Sequence, residues 1–522
     1  MTIRFPFAVL FAALLAVLLA GAPAFAGGLD DMKAAADAHH RGDDAAAIRL
    51  FTRAIDSGDL LKDELATAFY RRGLSNGAEG NGDASLADFD SALKLKPDYA
   101  DALSERGAAR LDAGDTEKAL ADLDTALKIK SDDPITYFNR GNAYAAQKQY
   151  DKAAADYSAA LKLDPGEADA LANRANAYQA EGHFDEAIAD YGAALGLRHG
   201  DAVLHFNRGN AYAAKGELDA AIEDFSAALR ARPKSADFHY NRGLAYSHRG
   251  DLEDALTDFD AAIEARPGFA DALSERGMVR LEAGKRAEAF ADFDAALKLK
   301  PDDAVTYLNR GWAYFDDAKF DAAVSDFEAA IRIDPDDAAA HVGRGDAYRG
   351  QSKFDAAIAE YDIALRAKPD DAEANFERGL ANFDAGNFDA AGEDLARSLA
   401  ADPKQAYAVL LLHLARAHLK GDDAKEFARN VERLNLKAWP GPVLALFERK
   451  VTPDRVRAAA GAGDAKGSNE RTCEAEFYIG EYALLRDNAE AAREALGKAR
   501  DICPPNASER GAAAAEFARM TK

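Results

Sequence analysis

The sequence is poor in the residues that most often carry chemistry: two cysteines, two tryptophans and four methionines among 522 residues. Two cysteines are too few for a disulfide framework and, without clustered histidine, too few for a zinc knuckle. The ten histidines are scattered; His39-His40 is the one adjacent pair, and His413 and His418, five apart, share a helix face poorly. No nucleophile elbow, zincin motif or phosphate-binding glycine loop occurs, and no strand pattern is present to hold one. The expectation is therefore a chain that is not an enzyme, with no catalytic residue, cofactor or metal. Positive charge is also scarce, since 65 Lys and Arg face 90 Asp and Glu for a net charge of −25. Phosphate backbones repel such a chain, so nucleic acid is excluded as a partner.

Long apolar runs are missing everywhere except at the start. Met1-Thr2-Ile3-Arg4 precedes an apolar run from Phe5 to Leu19, and Ala24-Phe25-Ala26 precedes Gly27-Gly28. A basic start, a short apolar core and small residues at a cleavage point mark a signal peptide, residues 1–26, cleaved after Ala26. The mature chain then has no stretch approaching the roughly 18 apolar residues of a membrane span, and it is expected to be periplasmic or secreted.

What the sequence has is a period. Arg-Gly recurs every 34 residues at Arg72, Arg106, Arg140, Arg208, Arg242, Arg276, Arg310, Arg344 and Arg378, with Arg174-Ala175 in the same register. Proline keeps the step at Pro97, Pro165, Pro233, Pro267, Pro301, Pro335, Pro369 and Pro403, with Ser131 and His199 substituting. In residues 134–167, apolar positions at Tyr137, Gly141, Tyr144 and Ala145 follow a helical step. Gln147-Lys148-Gln149 breaks it, and Ala153, Tyr157, Ala160 and Leu161 resume it. Each unit thus reads as two helices joined by a tight turn and stopped by proline. A single pair cannot bury its apolar face, so units must stack. Residues 97–145 also match residues 267–315, an offset of 170 that points to duplication of a five-unit block.

This spacing of Gly or Ala, Tyr, Ala, aromatic, Ala and Pro resembles the tetratricopeptide repeat over residues 66–403. The resemblance implies an all-α, right-handed superhelical solenoid of 34-residue helix-turn-helix repeats with a C-terminal helical cap. The reading divides the chain into a degenerate capping repeat at 27–65, ten tandem units at 66–405 and a helical module at 406–522. One departure is shared by all ten units: Arg replaces the large apolar residue that the family places before Gly.

Sixteen residues after each Arg stands an acid, as in Arg140 with Asp156 and Arg208 with Asp224. Arg suits a partly buried, forked contact with a carboxylate, which points to a structural ion-pair ladder between the two helices. The alternative is two solvated faces.

After Pro403 the register is lost. Helices are expected over Tyr407 to Leu419 and Lys425 to Leu434, then a linker over Gly461 to Asn469. A last pair would have Cys473 starting its first helix and Cys503 ending its second. Antiparallel helices bring those ends together, and an oxidising compartment favours a disulfide over two buried thiols. The run CEAEFYIGEYALL resembles C-terminal caps of exported bacterial proteins of this family.

The resemblance implies a concave groove, lined by the first helix of each unit, that binds peptides. Asn139 with Asn142, Asn173 with Asn176, and Asn207 with Asn210 are placed there, and Asn both donates and accepts, which suits a peptide backbone. Further on, Met278, Leu281, Leu308, Trp312, Phe315, Phe376, Leu380 and Phe383 form an expected apolar patch interrupted by Asp346 and Arg349, with Trp312 as its anchor. The functional expectation is an exported scaffold for protein or peptide partners. The alternative is a non-catalytic subunit that recruits substrate to a cell-envelope enzyme, a hydrolase or polysaccharide synthase.

Overall fold

The computed structural model describes residues 27–462 and 465–521, and among these the chain is all α-helix, 29 helices with no strand. The expected signal peptide lies outside the described residues. Two compact units divide between Gly250 and Asp251.

In the first unit a pair, Gly28–His40 and Asp44–Asp56, precedes regular pairs that begin with Lys62–Ala78 and Gly82–Leu95. The next helix starts at Lys62, four residues before the 34-residue register set by Ala100–Asp112, and runs for 17 residues. Glu64 Oε2 accepts from the Leu61 backbone N–H at 2.8 Å and so fixes that earlier start.

The unit Pro134–Ala146 with Tyr150–Leu163 shows how the repeat folds. Asp133 caps the first helix by accepting from the Thr136 N–H. Lys148, at φ 59°, makes the turn, where other units use glycine such as Gly114 or Gly182. Asp164, at φ −131°, takes the extended conformation that Pro165 imposes on it.

Arg-Gly meets a second dipeptide on the facing helix. Arg140 donates from Nε and Nη2 to the two oxygens of Asp156, each at 2.7 Å, while Gly141 lies under the ring of Tyr157. The same fork joins Arg208 to Asp224 at 2.7 and 2.8 Å, and recurs at Arg72, Arg106, Arg174, Arg276, Arg310 and Arg378. At Arg344 a single nitrogen, Nη2, serves both oxygens of Glu360.

The remaining nitrogen does something sequence reading missed. Nη1 of Arg140 reaches back sixteen residues to Asp124 of the preceding repeat, at 2.8 Å. Arg106 reaches Asp90, Arg174 reaches Ser158, Arg242 reaches Ser226, Arg276 reaches Asp260, and Arg378 reaches Asp362. One guanidinium therefore closes its own helix pair and staples it to the pair before.

In the second unit, the helix Leu252–Ala265 and regular pairs from Ala270–Glu282 to Phe388–Ala401 are followed by Ala406–His418, Ala424–Val431, Gly441–Phe447, Pro453–Ala460, Ala465–Leu484, Ala489–Ile502 and Ser508–Met520. Leu410, Leu414, Val443, Leu446, Phe477 and Leu496 form the core of this module. Two expectations need correction, and one helix is added. The helix expected over 425–434 stops at Val431; the expected linker is already helical from Ala465; and Pro453–Ala460 is an unforeseen helix. Alanine explains the last two, because it is the best helix former even in a Gly- and Ser-rich stretch. Cys473 consequently sits within a helix rather than at its start. It is joined to Cys503 by a disulfide, with Cα atoms 4.9 Å apart.

Candidate functional site

The Asn row lies on first helices within the first unit, and it is wired rather than free. Asn142 Oδ1 accepts from the hydroxyl of Tyr157 at 2.8 Å and from Nδ2 of Asn173 at 3.0 Å. One repeat on, Asn176 Oδ1 accepts from Tyr191 at 2.6 Å and from Asn207 at 3.5 Å. Asn142 and Asn176 are thus held by protein partners. Each satisfies a tyrosine hydroxyl whose ring is buried and whose ionisation burial pushes well up. Their Nδ2 groups keep both donors. Asn139 lies one turn from Asn142 on the same helix face, and Asn210 stands opposite Phe225, a ring with no hydroxyl to give.

That face continues. Ile135, Phe138, Asn139 and Asn142 follow the i, i+3, i+4, i+7 spacing of one helix stripe. Ile135 is 58 % exposed, and with Phe138, Pro134 and Ala160 it lines a cavity of about 190 Å³. Sequence reading noted the amides and missed this apolar neighbour, although its helical spacing from Asn139 and Asn142 was there to be read.

In the second unit the expected apolar patch is closed at its C-terminal end, whereas Met278 is exposed and Leu281, Leu308, Phe315 and Phe376 are half-buried. Leu380 is 4 % exposed and Phe383 is fully buried. The reason is the chain's own C-terminus: the helix Ser508–Met520 packs against the first helices Ala338–Gly350 and Ala372–Ala385. Ala512, Ala513 and Glu516 are buried in that contact, Arg519 donates to the Asp384 carbonyl at 3.0 Å, and Asn506 reaches the Asp316 carbonyl at 3.4 Å. Phe376, Leu380, Tyr407 and Tyr478 with Ala512 enclose a cavity of about 330 Å³ under this helix.

Asp346 and Arg349, expected as exposed interruptions, are also interior. Arg349 pairs with Glu377 at 3.2 Å, and Asp346 accepts from the Tyr361 hydroxyl at 2.5 Å. Burial pushes the Asp346 carboxyl far up and that of Asp384 up to about 7. Trp312 is half-buried. Its ring meets Phe327 and Phe315 edge-on at 5.2 and 5.8 Å, and only part of it faces a cavity of about 320 Å³ shared with Ala339 and Val342.

A family model described as Tetratricopeptide repeat matches residues 172–236, 206–268, 240–304, 308–351 and 344–406. A second of that description matches 134–167, and one described as TPR repeat matches 109–148. Among solved structures the chain is similar to YrrB, described as a TPR protein with an unusual peptide-binding site, at 26 % identity over 38 % of this chain and 97 % of that one, with a TM-score of 0.33. MamA is similar at 27 % identity over 31 % and 94 %, TM-score 0.30, and yeast Tom70 at 15 % identity over 81 % and 99 %, TM-score 0.41. A search of curated proteins returns no match. Helix pairs in 34-residue register, matched by these models over more than half of the sequence, leave one assignment: the chain belongs to the tetratricopeptide repeat family, whose arrays are scaffolds for protein and peptide partners.

Proposed function

We propose that this chain is an exported, periplasmic scaffold that holds an extended peptide along the Asn-bearing face of its first unit. The observation that carries the reading is the alignment of Asn139 and Asn142 with the Ile135–Phe138 cavity on one helix stripe, repeated as amides at Asn173, Asn176, Asn207 and Asn210. Amide donors on Asn142 and Asn176 are left over after the tyrosines are satisfied, and they suit the carbonyls of a peptide backbone. The cavity admits one apolar side chain. Export is supported by the N-terminal sequence and by a disulfide in a chain with no other cysteine.

A phage-displayed peptide library panned on the mature protein tests this reading. Enriched peptides are expected to lose at least about tenfold in affinity, roughly 1.4 kcal/mol, with Asn139→Ala and Asn173→Ala combined. Trp312→Ala is expected to leave them unaffected. Undiminished binding by the Asn variant would place the functional surface elsewhere.

A further inference from the structure

Where the terminal helix meets the module, three side chains from three helices converge. His418 ends the helix Ala406–His418, Glu481 comes from Ala465–Leu484, and Glu516 from Ser508–Met520. His418 Nε2 lies 3.0 Å from Glu481 Oε2 and 3.8 Å from Glu516 Oε1, and one ligand atom from each residue falls within 4.8 Å of the others. Both carboxylates are out of water, at 0 % and 4 % side-chain exposure. Phe388 stacks on the imidazole at 4.1 Å and 5°, which fixes its plane.

We propose that His418, Glu481 and Glu516 form a binding site for a divalent transition-metal ion of the zinc type, which clamps the C-terminal helix over the last repeats.

Three observations carry this. The first is geometry: two bonds of about 2.1 Å at a tetrahedral angle separate their donor atoms by roughly 3.4 Å, and the distances found bracket that value. The second is an orphan. Glu481 Oε1 is buried without a hydrogen-bond partner, so a proton on His418 serves one oxygen of this carboxylate and leaves the other bare. A divalent ion gripped by both oxygens of Glu481 removes that penalty. The third is an exit for the competing cation. Arg519 Nη2 now pairs with Glu516 Oε1, and its Nη1 already donates to the Asp384 carbonyl. Both carboxylate oxygens of Asp384 are buried and without a hydrogen-bond partner, with Arg349 Nη1 3.8 Å from Oδ2, so the guanidinium has an acid to turn to when the ion takes Glu516. One imidazole nitrogen with carboxylate oxygens selects zinc-type ions over calcium or magnesium, which prefer oxygen alone.

The test is Zn²⁺ titration of the chelator-treated mature protein, followed by calorimetry and by metal analysis after dialysis. One ion per chain is expected, with a rise in melting temperature. His418→Gln and Glu481→Gln are each expected to weaken binding at least tenfold, with helical circular dichroism retained. Should Glu481→Gln fail to fold, His418→Gln carries the test, because its side chain is partly exposed and the amide replaces the imidazole without adding charge. Absence of stoichiometric binding would overturn the site, and so would binding left unchanged by His418→Gln.

Discussion

Gly141 lies so close to Tyr157 that a Cβ on it would stand 2.7 Å from the ring's Cε1. The same approach recurs between Gly209 and Phe225 and between Gly345 and Tyr361, each at 2.7 Å. Glycine is thus favoured here by the ring of the facing helix and not by backbone conformation, although Ala175 holds the same register beside Tyr191. Gly141→Ala is expected to destabilise the first unit by about 1–3 kcal/mol through overpacking. Gly196, in a helix with nothing within 4 Å of its would-be Cβ, is the control. There alanine is expected to stabilise by about 0.5–1 kcal/mol. Urea unfolding of the two variants should shift in opposite directions; shifts of the same sign would contradict the packing argument.

The two acids on Arg140 differ in burial, Asp156 at 8 % and Asp124 at 42 % exposure. Arg140→Ala strands the buried one and is expected to cost about 1–3 kcal/mol, as is Arg208→Ala, which leaves Asp224 with His205 at 2.8 Å as its remaining partner. Asp124→Ala removes a solvent-screened partner and is expected to cost less than about 1 kcal/mol. Chemical denaturation ranks them, and equal losses from Arg140→Ala and Asp124→Ala would show that the buried fork is not the stronger grip.

Cys473 and Cys503 close a loop with a sequence separation of 30 in the second unit. Replacing both by Ser is expected to destabilise that unit by about 3–4 kcal/mol in the chain-entropy model. Thiol labelling of unreduced protein should find no free cysteine. Labelling of both would show that the bond is not formed in the cell compartment where the protein resides.

Asp384 gives the second unit a pH slope of known sign. Burial raises its carboxyl from 3.8 to about 7, against the opposing pull of Arg349 and Arg519 and with Glu509 and Glu377 adding to the rise. A carboxyl raised on folding supports the fold below its unfolded value and loses that support as pH climbs to its folded value. Stability from this group should therefore fall between about pH 4 and 7. Asp384→Asn is expected to gain relative to the parent across that window, by about 1.4 kcal/mol for each pKa unit abolished. Melting curves at pH 4.5 and 8 decide it, and a variant that gains nothing between them would refute the assignment.

The helix pairs and the Arg fork were legible because both are written within one repeat: the acid sits sixteen residues on, in every copy. The backward contact from Arg140 to Asp124 was not. Asp124 reads locally as one more surface acid, and only stacking brings the preceding helix within reach. The same limit hid the tail. Leu380 and Phe383 have the spacing of an exposed stripe, and nothing near them in sequence announces that residues 508–520 will cover it. The Asn row was readable as a face, but its bonds to Tyr157 and Tyr191 depend on how deeply those rings enter the neighbouring helix.

Because the Nη1 groups of Arg106, Arg140, Arg174, Arg242, Arg276, Arg310 and Arg378 all reach toward the N-terminus, the array has a polarity, like a zipper whose teeth point one way. A break between repeats leaves unlike ends: the downstream fragment opens with an arginine deprived of one ligand, whereas the upstream fragment ends in an acid such as Asp90 or Asp124 that water already wets. Fraying is thereby made easier at the C-terminal end. It is at that end that the chain lays its terminal helix across the last repeats.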